Sequence, residues 1–319
     1  MKRTVLIMLL VAVLLVAGCE GDSETRLRAD PFIGGTEGLQ ARYIEGYPPS
    51  SVLDGGEDEF SVIVELTNKG EAEIEPQNVK VTLGGFSARH FNKGIEDLTR
   101  FNSELIEKNQ KNPDGSIIES FPYEIEFEGF SYQDRIQGNQ EYPFRAEICY
   151  GYQTNVVSSV CVKEDFRRDT ADRDICTVNS RRTVHNSAAP VQVTNLQQTA
   201  ASTGSARVTF KVENVGRGDV YKVGAEETCN VDSRDINMVH VEISGFETGA
   251  GEEVDCRGLR DGDSTSGFLN IGGDTGGEVS CTISFADGTR SARIQNFDIT
   301  LDYDYRQTIT RSIVVEHGS

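Results

Sequence analysis

The chain has 319 residues, 31 Lys and Arg against 51 Asp and Glu, a formal charge of −20, and no Trp. A surface this acidic argues against nucleic acid as a partner and against peripheral binding to anionic lipid. The length suggests two domains of ordinary size.

Residues 1–18 read Met-Lys-Arg-Thr, an apolar run from Val5 to Val16, then Ala17-Gly18. A basic start, a short apolar core and small residues before a cut make a secretory signal. The core falls short of the roughly 20 apolar residues a membrane span needs. Val16-Ala17-Gly18-Cys19 resembles the lipobox of bacterial lipoproteins, which some archaeal surface proteins share. That resemblance implies cleavage just before Cys19 and a diacylglycerol on its thiol. Thiolates are the side chains most readily alkylated near neutral pH. Two acyl chains, at about 0.8 kcal/mol per buried methylene, suffice for stable anchoring. The expected address is the outer face of the cell membrane. Cleavage removes Lys2 and Arg3 and no acid, shifting the balance from −20 to −22. Residues 19–36 are polar and Gly-rich, the composition of a flexible tether.

Two copies of one pattern follow, over 37–165 and 188–319, with 166–187 between them as a linker. Phe60–Gly70 (FSVIVELTNKG) parallels Val208–Gly216 (VTFKVENVG), and Val79–Phe86 (VKVTLGGF) parallels Val239–Phe246 (VHVEISGF). Residues 148–162 and 301–315 align without a gap, Tyr150 meeting Tyr303 and Tyr152 meeting Tyr305. Apolar and polar residues alternate in these runs, as in half-buried strands. NKG and NVG supply turn residues that tolerate positive φ. The expected fold is all-β: two tandem immunoglobulin-like antiparallel β-sandwiches. Ile95–Asn109 places Leu98, Phe101, Leu105 and Ile106 at helical spacing, predicting a short helical insertion in the first. The last unit of each copy reads as a hairpin, turning near Gln153–Asn155 and near Arg306–Thr308.

With Cys19 lipidated, Cys149, Cys161, Cys176, Cys229, Cys256 and Cys281 remain. An even number in an exported chain reads as disulfides. A hairpin centred on Asn155 would oppose Cys149 and Cys161, and both are replaced together in the second copy. Cys256 and Cys281 lie in later strand-like runs and are paired. Cys176 and Cys229 pair by elimination, joining the linker to the second copy.

A β-strand, an N-x-G turn and a V-x-V-x-x-x-G-F strand together resemble the CARDB group, immunoglobulin-like modules named for cell adhesion in bacteria. The resemblance covers most of both halves. It implies spacer and ligand-presenting roles and no chemistry. Gly34–Leu39 also matches the G-G-T-x-G-L segment of some archaeal exported proteins that end in paired β-sandwiches.

No nucleophile elbow, zinc-protease motif or phosphate loop is present. His90, His185, His240 and His317 stand in no recognisable motif, so no catalytic residue is assigned. Calcium is the one cofactor the acidic loops raise, weakly, at Asp261 and Asp263, with Asp54–Glu59 and Asp169–Asp174 as further acidic turns. Arg217-Gly218-Asp219 reads as a chance tripeptide at a loop tip. Tyr150, Tyr152, Tyr303 and Tyr305 share one strand parity and are core residues, or an aromatic platform if that face is open. The function expected is a non-catalytic lipoprotein that presents two modules to another envelope protein or glycan. The alternative is a structural subunit of an envelope complex of secretion or pilus-like type. A solute-binding lipoprotein or an enzyme stands behind both.

Overall fold

The computed structural model describes residues 30–168, 175–224, 228–229, 231–246, 251–273, 276–286 and 292–318. The expected signal segment, Cys19 and Asp169–Asp174 lie outside them. Phe32–Ser319 forms one compact unit. Among the described residues it is all β, with two single turns of 3-10 helix at Ala88–Phe91 and Glu96–Leu98.

The first half contains β1 (Leu39–Tyr43), β2 (Ser51–Leu53), β3 (Phe60–Asn68), β4 (Val79–Gly84), β5 (Thr99–Phe101), β6 (Gln110–Lys111), β7 (Ile117–Ile118), β8 (Tyr123–Phe130) and β9 (Gln140–Val162). The second contains β10 (Ser180–Arg181), β11 (His185–Asn186), β12 (Val191–Ala200), β13 (Ser205–Asn214), β14 (Asp219–Tyr221), β15 (Met238–Ser244), β16 (Glu252–Arg257), β17 (Ser266–Asn270), β18 (Gly277–Phe285) and β19 (Arg293–Glu316).

A central sheet runs β17-β15-β19-β9-β4-β5, with β2 and β14 alongside β19 and β11 alongside β9. The order is a palindrome of the repeat: β17 corresponds to β5, β15 to β4, β19 to β9. Two smaller sheets, β1-β3-β8 and β10-β12-β13-β18-β16, repeat the relation. Both cover the same face of the central sheet. Phe60 of β3 meets Phe144 of β9, and Phe210 of β13 meets Phe297 of β19. Phe144 and Phe297 lie on one face because their cross-strand partners are Arg311 and Ser158, which keep the parity. The binary pattern drives this packing. Phe60, Val62, Val64 and Leu66 alternate inward from β3, as do Val208, Phe210 and Val212 from β13.

The two expected hairpins are absent. β9 and β19 run unbroken and pair with each other from Arg293 opposite Val162 to Val315 opposite Gln140. Of the residues read as turns, Gln153, Asn155, Arg306 and Thr308 sit on the outer face of a continuing strand, where Gln153 donates to Asp302, while Thr154 and Gln307 point inward. The inward series Tyr150, Tyr152, Thr154, Val156 continues through Gly151, which pairs with Asp304 like its neighbours. Each long strand therefore serves both halves. Thr154 of β9 donates to the Val191 carbonyl of the second, while Gln307 and Arg311 of β19 donate to the Leu39 and Ile44 carbonyls of the first.

The expected helix at 95–109 is replaced by the turn Glu96–Leu98 and strand β5, which pairs with β4. Its apolar residues do not share a buried face: Leu98 and Ile106 are buried, Phe101 and Leu105 exposed. Buried Asn102 accepts from the Val79 N–H and donates to the Glu75 and Glu104 carbonyls. Such side-chain bonds compete with helix formation.

Three disulfides form. Cys256–Cys281 is as expected, across β16 and β18. The other two differ: Cys149 bonds Cys229 and Cys161 bonds Cys176. Cys149 and Cys161 lie on one extended strand, about 40 Å apart at roughly 3.3 Å per residue, so the pairing inferred from a hairpin cannot form. Cys161–Cys176 ties the residues around Cys176 to the end of β9.

Candidate functional site

The four tyrosines are core. In the central pairing Tyr150 faces Tyr305 and Tyr152 faces Tyr303. All four are at most 4% exposed, so they offer no aromatic platform. Every hydroxyl is engaged. Tyr150 accepts from the Leu39 N–H, Tyr152 donates to Asn68, Tyr303 shares a bond with Thr154, and Tyr305 accepts from the Gly218 N–H. Burial raises the Tyr150 and Tyr303 hydroxyls well above the ordinary phenol range.

Above these rings opens a cleft of about 530 Å³, between the first half's leading segment and the second half's N-x-G turn. Its walls are Thr36–Ala41 on one side and Val215–Asp219 on the other, with Arg306–Thr308 along the floor. The turn is shaped by Asn214, which accepts from the Gly216 N–H and donates to the Gly218 carbonyl. Arg306 donates to Asp219 at 2.8 Å, lies 3.9 Å from Glu147, and stacks 4.9 Å over Tyr221. Arg217-Gly218-Asp219, dismissed on sequence as chance, thus forms one rim. The repeated N-x-G signal places it there; nothing in the sequence places the opposite wall beside it.

The far wall is a sheet edge. Among the described residues β1 pairs only with β3. The bonds Lys69 N–H to Gly38 O and Ile44 N–H to Ile63 O fix the alternation, so the backbone groups of Leu39 and Ala41 point away from β3. Those of Leu39 are taken by Tyr150 and Gln307. Those of Ala41 face the cleft.

Three histidines meet carboxylates. On the solvated face of the central sheet His240 stands 3.1 Å from Ser266 Oγ through Nε2 and 3.8 Å from Asp302 Oδ2 through Nδ1. This is the order of a nucleophile, a base and an orienting acid. An oxyanion needs free N–H donors as well. The Ser266 N–H is held by Asp263 and the Phe268 N–H by the Arg260 carbonyl. Elsewhere, His317 Nδ1 lies 2.9 Å from buried Asp54, which also accepts from Arg135 and from the Ile136 and Gly318 N–H groups. The His317 bond first, then the Ile136 N–H, hold the Asp54 carboxyl well below its ordinary range. The cluster pins the C-terminal residues to the loop after β2. His90 lies 3.6 Å from Asp134 at the surface, and His185 pairs with Val157 in the short strand β11.

The turn at Asp263 is internally satisfied. Asp263 Oδ1 accepts from the Thr265 and Ser266 N–H groups and from the Thr265 hydroxyl. Asp261 occupies a left-handed backbone position, φ 54°. Among the described residues no group of three His, Cys, Asp or Glu side chains is placed to hold a metal ion.

No family model and no curated protein matches the sequence. Among solved structures, the secreted serine protease VesC from Vibrio cholerae is similar at 12% identity and a TM-score of 0.18, over 84% of this chain and 50% of that one. The chain spans about half the length of that protein. A likeness of this size carries no argument about fold or chemistry.

Proposed function

We propose that this chain is a non-catalytic surface lipoprotein, anchored through Cys19, that holds another envelope protein or a glycan in the cleft between its two repeats. One observation carries the reading: the unpaired edge of β1 opens into a polar cleft walled by the turn of the other repeat. An exposed edge accepts an extended segment through main-chain hydrogen bonds. The Arg306–Asp219 pair and the neighbouring amides give that segment polar groups to meet. Three disulfides suit an oxidising compartment, and the resemblance to CARDB modules agrees with a presenting role.

Ala41→Pro tests the site selectively. Its N–H points to the cleft and not to β3, so proline removes an edge donor and leaves the sheet's own bonds intact. Photo-crosslinkers at Gln40 and Thr308 are expected to capture an envelope component in cells, and Ala41→Pro to abolish the adduct while thermal unfolding is unchanged. Equal capture from a crosslinker at Val231, exposed and outside the cleft, would refute the site.

A further inference from the structure

Five of the eleven large apolar side chains exposed among the described residues fall within one short stretch of the first repeat: Phe101, Leu105, Ile117, Ile118 and Phe121. The last three belong to the ribbon of β6 and β7 and the residues just after it. Among the described residues these strands pair only with each other. The ribbon is firmly rooted. Asn109 accepts from the Ser120 N–H and donates to the Lys69 carbonyl, and the Ser120 hydroxyl donates to the Asn68 carbonyl. Its turn is closed by Asp114, which accepts from the Ser116 N–H and hydroxyl. Ile117, Ile118 and Phe121 are nevertheless 49%, 54% and 83% exposed.

Two facts identify what covers them. Consecutive strand residues point to opposite faces, and both Ile117 and Ile118 are exposed, so apolar surface shows on both faces of the ribbon. A protein partner docks against one face; a fluid apolar phase wets both. The second fact is where the leading segment begins. Lys111 of the ribbon donates to the Phe32 carbonyl at 2.7 Å, and the next residue, Ile33, is held by Glu71. Only residues 20–31 separate that point from Cys19, a reach of at most roughly 40 Å.

We infer that the ribbon and Phe121 rest in the interfacial layer of the membrane that holds the Cys19 lipid, a second contact that fixes the body's orientation. The inference rests on the anchored reading above. The polar turn and the Lys69–Glu119 pair, 3.9 Å apart, place the ribbon along the headgroup plane. The acidic body selects uncharged lipid over anionic lipid.

The chain has no Trp, so a single substitution gives a clean reporter. Phe121→Trp, and Ile294→Trp as a control at a site 59% exposed in the second repeat, would be made in the chain beginning at Cys19. A diacyl lipid coupled through maleimide to Cys19 replaces the native one, the other six cysteines being in disulfides. In phosphatidylcholine vesicles the F121W indole is expected to shift to shorter wavelength and to be quenched by lipids brominated near the headgroup, while the I294W indole keeps its aqueous spectrum. Adding I117D and I118D should return the F121W indole to its aqueous spectrum. An F121W indole as aqueous as the control on the same vesicles overturns the inference. Because the lipid is supplied chemically, failure of the anchored reading shows separately, as a native mass without a lipid adduct.

Discussion

Gly151 and Asp304 face each other where β9 and β19 cross the middle of the central sheet, and the alignment that carries Tyr150 onto Tyr303 carries Gly151 onto Asp304. A two-fold axis relating the repeats passes between this pair, yet the two residues differ. Asp304 is 4% exposed and accepts from the Cys229 N–H. Burial raises its pKa, against smaller opposing effects of that N–H and of Lys80. A raised folded-state pKa contributes stability that is complete below the unfolded value near 4 and is lost as pH rises through the folded value. Asp304→Asn keeps an acceptor and does not titrate. Its unfolding free energy relative to the parent is expected to climb from pH 4 to pH 7 in urea titrations; a falling difference would mean that Lys80 and the Cys229 N–H outweigh burial.

The equivalent glycines of the two N-x-G turns lie against equivalent tyrosines. A Cβ on Gly70 would stand 1.9 Å from the Tyr152 hydroxyl and 2.4 Å from the Ala188 carbonyl; one on Gly216 would stand 2.2 Å from the Tyr305 hydroxyl. Gly70→Ala and Gly216→Ala should each destabilise by about 1–3 kcal/mol, the range for overpacking. Tyr305→Phe should restore part of the loss at Gly216, where the hydroxyl is the nearest atom. Tyr152→Phe should restore less at Gly70, where backbone also intrudes. Additive double mutants would refute the contact.

The disulfides should rank by the chain they close. Cys149–Cys229 spans 80 residues, Cys256–Cys281 25 and Cys161–Cys176 15. Chain entropy favours the longest, by about 1–1.5 kcal/mol over the shortest. Pairwise Ser replacement followed by denaturant unfolding is expected to cost most at Cys149/Cys229. Peptide mapping without reduction should recover the same three pairs, and a Cys149–Cys161 peptide would contradict the unbroken β9.

The Ser266–His240–Asp302 row is expected to be inert. A fluorophosphonate should leave Ser266 unmodified, since the neighbouring N–H groups that could serve an oxyanion are engaged. Labelling that His240→Ala abolishes would turn the row into an active site and remove the non-catalytic reading.

Local pattern made the strands legible. FSVIVELTN and its partner alternate as written, and the repeat emerged from three matched runs in the same order. Pairing between distant strands was not legible. Gln153 and Asn155 look the same at a turn and on the wet face of a long strand; only the opposing strand distinguishes them. Once a hairpin was assumed, a wrong disulfide followed from sound register arithmetic. The helix failed for a related reason, since Phe101 and Leu105 fit a helical stripe by spacing while the structure leaves both outside. The cleft escaped because Ala41 and Asp219 approach only after the two long strands bring the repeats together.

The long strands have a mechanical meaning. Tension applied at Phe32 passes into β1, which lies antiparallel along β3, and from Leu39 and Ile44 through side-chain bonds into β19. β19 is stitched along its length to β9, and each runs beneath both small sheets. Among the described residues no linker lies along this path to stretch first, so, on the anchored reading proposed above, a partner tugging at Arg217–Asp219 would pull on the lipid through a single stiff plank.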